Sequence, residues 1–292
     1  MAVYEHTYKP YAGQLTPLWS RFLVIPRHAY RDVFASKLFA GFFALCFVWP
    51  LVSAILIYLH HNLAAMAIMQ VDLRDLLPIN GFFFQIYAGV QVFLAFLLTV
   101  LMGPPLISRD LANNALPLYL CRPLSRAEYV IGKMSVLMIL ISAITWVPGV
   151  LLFLFQSYLE GAGWAARNLR IAGAVFILSW VWIILLALLS VTISAWVKWR
   201  LAGSAALFGL YIISNIVGLM IDGMLQTRWG GLFSWHMIMQ TIADSLFREP
   251  NSAGLPNWMV LPTPAAWIMF ALFLSFCLFL LTRKVRAYEV VR

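Results

Sequence analysis

The residues able to do chemistry are few in this sequence, and they are scattered. His60 and His61 are adjacent, Asp72 and Asp75 follow a dozen residues later, and His236 stands far along the chain. These are metal-ligating types, but no set has the tight spacing of a zinc site, so histidines at a membrane surface account for them equally well. A phosphate-binding G-x-x-x-x-G-K-[ST] loop is absent, as are an HExxH zinc motif and a G-x-S-x-G nucleophile elbow. No convergent nucleophile, acid or metal set is recognisable, and the chain is expected to be non-catalytic, with no cofactor and no metal of its own. Within the apolar runs stand Gln85, Gln91, Gln156, Ser179, Ser190, Thr192, Ser194, Ser214 and Asn215. Such groups either line a polar pathway or bond between helices, and the sequence leaves both uses open.

The elements that position these groups follow from composition. Of 292 residues, 63% are hydrophobic and only 11% charged, and the mean hydropathy is +0.88. Soluble domains carry about a quarter charged residues, so the class is an integral membrane protein. A span needs about 20 mostly apolar residues, because hydrocarbon offers the backbone no hydrogen-bond partner. Six windows qualify: Leu38–Leu59, Phe82–Ile107, Met134–Tyr158, Ile171–Val197, Ala202–Ile221 and Pro262–Thr282, none containing Asp, Glu, Lys or Arg. The expected fold class is an all-α membrane protein with six transmembrane helices. No signal peptide is expected before them, and the first helix is expected to act as its own insertion signal.

Charge gives the orientation. Six spans put both ends of the chain on one side, and the segments on that side hold 15 Lys and Arg against five on the other. Basic flanks stay in the cytoplasm, so the sequence predicts cytoplasmic N and C termini in a plasma membrane, taken as a bacterial inner membrane. The formal net charge of +9 is then a topological signal. The basic residues are spread among the flanks with no compact patch, which leaves no role for nucleic acid.

Three segments outside the spans carry further information. The arm 1–37 contains an amphipathic helix from Pro26, with Ala29, Tyr30, Val33 and Phe34 on one face and Arg27, His28, Arg31, Asp32 and Ser36 on the other. Its residues Arg27, Tyr30, Arg31 and Phe34 are expected to set an interfacial elbow, with Leu18, Trp19, Phe22 and Leu23 dipping in before it. In the second connection, 108–133, Gly103, Pro104 and Pro105 break the end of span two. Leu116, Leu118, Tyr119 and Leu120 form a short apolar surface rimmed by charge, which is a docking composition. Ser125 and Glu128 then form an S-x-x-E capping box that starts a helix near Arg126. The third segment, 222–261, has enough tryptophan and aliphatic content to cap the spans or gate a path. Pro50 and Pro148 predict kinks in spans one and three, and Gly203, Ser204, Ala205, Ala206 and Gly209 predict close contact of span five. Cys46, Cys121 and Cys277 are read as packing residues with no disulfide.

The run Leu120-Cys121-Arg122-Pro123-Leu124-Ser125-Arg126-Ala127-Glu128-Tyr129, closing with Gly132-Lys133, resembles the cytoplasmic loop of the permeases of type-2 ATP-binding-cassette exporters. In that family an acidic residue after span two leads through a Gly-Thr turn to leucines, a basic-Pro pair, Ser-Arg, an acidic-aromatic pair and Gly-Lys. Asp110 stands in the acidic region here, while Asn113, Asn114 and Ala115 replace the turn and Pro117 is a further departure. The motif covers about 25 residues, whereas the resemblance in architecture covers most of the chain.

The resemblance implies a permease-type fold and a transmembrane subunit that pairs with a second permease, identical or different. It also implies a separate nucleotide-binding subunit that holds ATP and Mg. On that reading Leu116, Leu118, Tyr119 and Leu120 dock on the ATPase, Arg109, Asp110, Arg122 and Arg126 form its polar rim, and Ser125 with Glu128 fix the start of span three. An alternative keeps the motor but makes the chain a membrane anchor or force transmitter for assembling, maturing or moving an envelope component, with 222–261 contacting an envelope or periplasmic protein. An ATP-independent channel or secondary transporter is the third reading, weakened by the lack of intramembrane carboxylates.

Overall fold

Ser36, Asn80 and Ser234 each stand one residue before a helix, and each side-chain oxygen accepts from the amide three residues on: Phe39 at 3.5 Å, Phe83 at 3.2 Å and Met237 at 3.2 Å. Each cap closes one of the open donors at a helix start. The computed structural model describes residues 24–62, 78–112, 126–197, 199–249, 254, 256 and 259–284, with no strand among them. Its helices are α1 (Val24–Phe34), α2 (Lys37–Leu45), α3 (Val48–His61), α4 (Gly81–Met102), α5 (Pro105–Ala112), α6 (Arg126–Ile144), α7 (Trp146–Glu160), α8 (Ala162–Trp196), α9 (Arg200–Leu225), α10 (Trp235–Phe247) and α11 (Thr263–Lys284).

Six stretches are long and apolar enough to cross a membrane: Lys37–His61, Gly81–Met102, Ala127–Glu160, Gly163–Trp196, Arg200–Leu225 and Thr263–Lys284. Their burial is uneven. Span four, within α8, has 78% of its most apolar window buried, against 22% for span one, 11% for span five and 17% for span six. Span four is therefore the central post. Its fully buried Val175, Ile183, Leu186, Ala187 and Val191 are ringed by spans two, three and six, while spans one and five show most of their surface.

The two ends of the bundle differ. At one, the elbow end, α1 packs on α6 through Ile25 and Val33, and the Tyr30 hydroxyl donates to the Val136 carbonyl at 3.2 Å. At the other, the cap end, α10 lies against spans two, four, five and six and buries Trp235, Met237, Ile238, Ile242 and Phe247. The segment 222–261 is thus a packed cap in its described part. Arg167 and Arg170, expected in the connection before span four, lie inside α8, because the helix starts at Ala162 directly after Gly161. Gly161 has φ +101°, which a side chain would strain, and this lets α7 turn straight into α8. Arg170 then reaches the cap, its Nε donating to the Leu246 carbonyl at 3.1 Å.

Prolines break three spans, and the breaks share one solution. A proline removes the amide that would bond the carbonyl four residues earlier. For Pro50 that carbonyl is Cys46, and span one divides there into α2 and α3. For Pro148 it is Ile144, and span three divides into α6 and α7. One side chain serves both: Gln91, fully buried in α4, donates its Nε2 to the Cys46 carbonyl at 2.9 Å and to the Ile144 carbonyl. The Tyr87 hydroxyl, one turn earlier, donates to the Thr145 carbonyl at 3.1 Å. For Pro104 the freed carbonyl is Val100, and the Ser204 hydroxyl of α9 donates to it at 2.8 Å. Span two accordingly ends at Met102, five residues before the sequence window does, since Gly103 and the two prolines cannot continue it.

The break at Pro104 is also a close contact. A Cβ on Gly103 would lie 1.7 Å from the Ser190 oxygen of α8, so only glycine lets the two helices meet there. Gly103→Ala is expected to lower stability in detergent by about 1–3 kcal/mol through overpacking. A thermal unfolding curve that matches the parent would contradict this packing.

Candidate functional site at the elbow end

The docking surface read from the sequence is carried between α5 and α6. Leu116, Leu118, Tyr119, Leu120, Arg122 and Ser125 lie outside the described residues, as do Leu18, Trp19, Phe22, Leu23, Asp72, Asp75 and Cys121, and so do the side chains of Arg109 and Arg126. What is described is the base on which that segment stands.

Its first wall is α5. Pro105 occupies the first helical position, where a missing amide costs nothing. The Pro104 carbonyl accepts from the Ser108 hydroxyl at 2.6 Å and from the Ser194 hydroxyl at 2.5 Å, and the Ser194 oxygen accepts from the Ser108 amide at 2.9 Å. This small network ties the start of α5 to the last turns of α8. The second wall is α6, which begins at Arg126, the residue after Ser125, with Glu128 half-buried in its first turn.

Asp110 joins the two walls. Its Oδ2 lies 2.8 Å from the Lys133 Nζ and accepts from the Tyr129 hydroxyl at 2.7 Å. Tyr129 and Lys133 are four apart on α6, so they share a face, and the ammonium sits 5.8 Å from the phenol ring centre. The Asp110 and Lys133 side chains are only 14% and 10% exposed, and Tyr129 is fully buried, so the pair is shielded. Low exposure strengthens the attraction and makes loss of either partner costly. The resemblance put Asp110 among the polar rim residues of the docking segment and gave Tyr129 and Lys133 no role of their own. In the structure the carboxylate faces inward and holds the two helices together at the root of the segment.

The elbow reinforces this base from the side. Arg27 and Arg31 are exposed, Tyr30 is half-buried against α6, and Phe34 packs edge-on against Phe39 and Phe43 of α2. Burial pushes the Tyr30 phenol up to about 12, so its hydroxyl stays a donor to Val136 at any ordinary pH. At the other end of the chain, the Lys284 ammonium lies 5.0 Å from the Trp196 ring centre, bringing the close of span six onto span four.

Most of the polar residues of the spans bond to neighbouring helices or to their own. Gln91, Ser194 and Thr192 go to backbone carbonyls, and Ser214 bonds its own helix at Tyr211. Gln156 meets His61, and Gln85 meets Asp244. Asn215 receives the Ser234 hydroxyl and the His236 amide at the start of α10. His61 lies 3.1 Å from Gln156 and 3.4 Å from Glu160. Among the described residues no group of three or more His, Cys, Asp or Glu could hold a metal. His236, on the cap, bonds through its amide to Asn215, and burial holds its imidazole below the usual range. Asp222, at the cap end of α9, is fully buried and accepts from the Gly230 amide at 2.6 Å, pinning the short turn 230–232 onto span five. Neither its role nor that of Gln91 was read from the sequence.

No protein-family model matches this chain, and no curated protein matches its sequence.

Loss of the Asp110 carboxylate is expected to be felt through both partners. Asp110→Asn and Lys133→Met should each destabilise the protein, and the double variant should cost less than their sum by about 1–3 kcal/mol. Tyr129→Phe should cost about 1 kcal/mol. Strict additivity of Asp110→Asn and Lys133→Met in detergent unfolding would mean that the pair does not hold the helices.

Proposed function

We propose that this chain is the membrane-spanning permease subunit of an ATP-driven exporter. Its energy comes from ATP and Mg on a separate nucleotide-binding chain, and it works beside a second permease, identical or different. The observation that carries the reading is the Asp110–Tyr129–Lys133 contact. It joins three positions of the run that resembles the type-2 exporter loop: the acidic residue after span two, the aromatic of the acidic-aromatic pair and the lysine of Gly-Lys. The six apolar helices and the amphipathic first helix are consistent with it, and the basic excess of the segments at the elbow end supports a cytoplasmic side for that end.

The mechanism follows from where the segment is rooted. Leu116, Leu118, Tyr119 and Leu120 dock in a cleft of the ATPase, with Arg109, Arg122 and Arg126 at the rim. Closure of the motor on ATP pushes this segment, and the Asp110 contact delivers the push to α5 and α6 together. From α5 it passes to span four through Ser108, Pro104 and Ser194. Spans one, two and three are broken at prolines, so their halves can tilt about the breaks while their end contacts hold. The cargo is moved at the interface between the two permeases.

Affinity purification of the full chain from its own membrane should bring down a phosphate-loop ATPase. Leu118→Glu and Tyr119→Glu are expected to remove that ATPase while the chain remains inserted and folded. Normal assembly and ATP turnover in both variants would contradict the docking assignment, and transport by the purified chain without any ATPase would contradict the class.

A further inference from the structure

A second site lies at the other end of the bundle, away from the proposed motor contact. Spans four, five and six and the cap helix α10 leave a cavity of about 340 Å³ between them. Leu185, Leu210, Ile213, Val217, Trp235 and Phe273 make up much of its wall. The Ser214 hydroxyl also reaches it but donates to the Tyr211 carbonyl of its own helix at 2.9 Å. The site therefore offers a polar ligand little to bond and offers water no stable position.

The cavity opens sideways. Its wall residues Leu210, Ile213, Val217 and Phe233 are themselves 41%, 61%, 39% and 57% exposed, and they continue into the bare faces of spans five and six. In a chain whose helices cross a membrane, those faces meet hydrocarbon. At about 30 Å³ for a group the size of water or a methylene, the cavity has room for roughly ten methylenes. The chain that leads into its wall supplies the opposite chemistry. Leu232 and Phe233 line the cavity, and Arg228 and Trp229 stand in the bend directly before the turn Gly230–Leu232, with the guanidinium 5.8 Å from the indole ring centre and Trp229 53% exposed. A cation beside an interfacial tryptophan, next to a narrow apolar groove, matches an anionic phospholipid: phosphate at the arginine, one acyl chain inside.

We propose that this groove binds one acyl chain of an anionic phospholipid from the leaflet at the cap end, with the headgroup phosphate held at Arg228. The chain packs between spans five and six, where span five has the smallest buried share of the six. This site does not depend on the ATP-coupled reading, and its test needs no ATPase.

The full chain is reconstituted in phosphatidylglycerol–phosphatidylcholine vesicles with a trace of phosphatidylglycerol carrying a mid-chain diazirine, irradiated, and its adducts mapped by peptide mass. Labelling at Ile213, Val217 or Phe273 is expected to exceed that at the exposed span-one residues Leu51 and Ile55 by about fivefold or more. Val217→Trp, which fills the groove, should abolish the excess while span-one labelling persists as the sign of a folded chain. Ile213→Phe provides a milder filling should Val217→Trp fail to insert. Arg228→Gln should remove the preference over the phosphatidylcholine probe. Equal labelling of both faces would show ordinary surrounding lipid, and a groove covered by a second copy would show chain-to-chain cross-links in place of lipid adducts. Either result overturns the site.

Discussion

A proline inside a membrane helix leaves the carbonyl four residues before it without its amide, in a medium that has no donor to replace it. This chain carries that problem at Pro50, Pro104 and Pro148, and its packing is arranged around the answer. Gln91 has two amide protons and gives one to each of the carbonyls freed in spans one and three. A single buried side chain on span two thereby fixes where two neighbouring helices bend and holds three spans at one level. Tyr87 adds a bond to the Thr145 carbonyl beside it, and Ser204 treats the third break in the same way from span five.

These contacts divide the molecule into parts with different duties. Above the breaks, toward the cap, spans two, four, five and six hold α10, the buried Asp222 and an apolar cavity. Below them lie α1, α5 and the first half of span three, joined by Tyr30, Asp110 and Lys133. The ties of the lower part are shielded and in one case charge-assisted, and they stand where the segment with a docking composition leaves α5 and enters α6. The carbonyls that Pro50, Pro148 and Pro104 release are each bonded by a side chain of a neighbouring span.

The six spans were legible because hydrocarbon admits neither charge nor unpaired backbone, so length and the absence of Asp, Glu, Lys and Arg identify them. The elbow helix was legible from its 3.6-residue period, and α6 from Ser125 and Glu128. The interior of the base was less so. Asp110 took its rim role from the family resemblance alone, and only the fold brings Lys133 within 2.8 Å of it. Arg167 and Arg170 read as loop residues because charge was taken to end a helix, whereas α8 continues past the apolar window to reach the cap. Gln91 could have been found. Counting the carbonyls that Pro50 and Pro148 release shows a need for two donors, and a glutamine on the neighbouring span is the economical source.

Gln91 stands where it does to bond the carbonyls that Pro50 and Pro148 release. Unfolding free energies in detergent would be measured for the parent, Gln91→Leu, the pair Pro50→Ala with Pro148→Ala, and the combination of all three. Gln91→Leu in the parent should cost about 1–3 kcal/mol, the value of two interhelical bonds to buried acceptors. With both prolines replaced, each helix regains its own amide at Cys46 and Ile144, and the same substitution should cost less than about 1 kcal/mol. An equal cost in both backgrounds would contradict the claim.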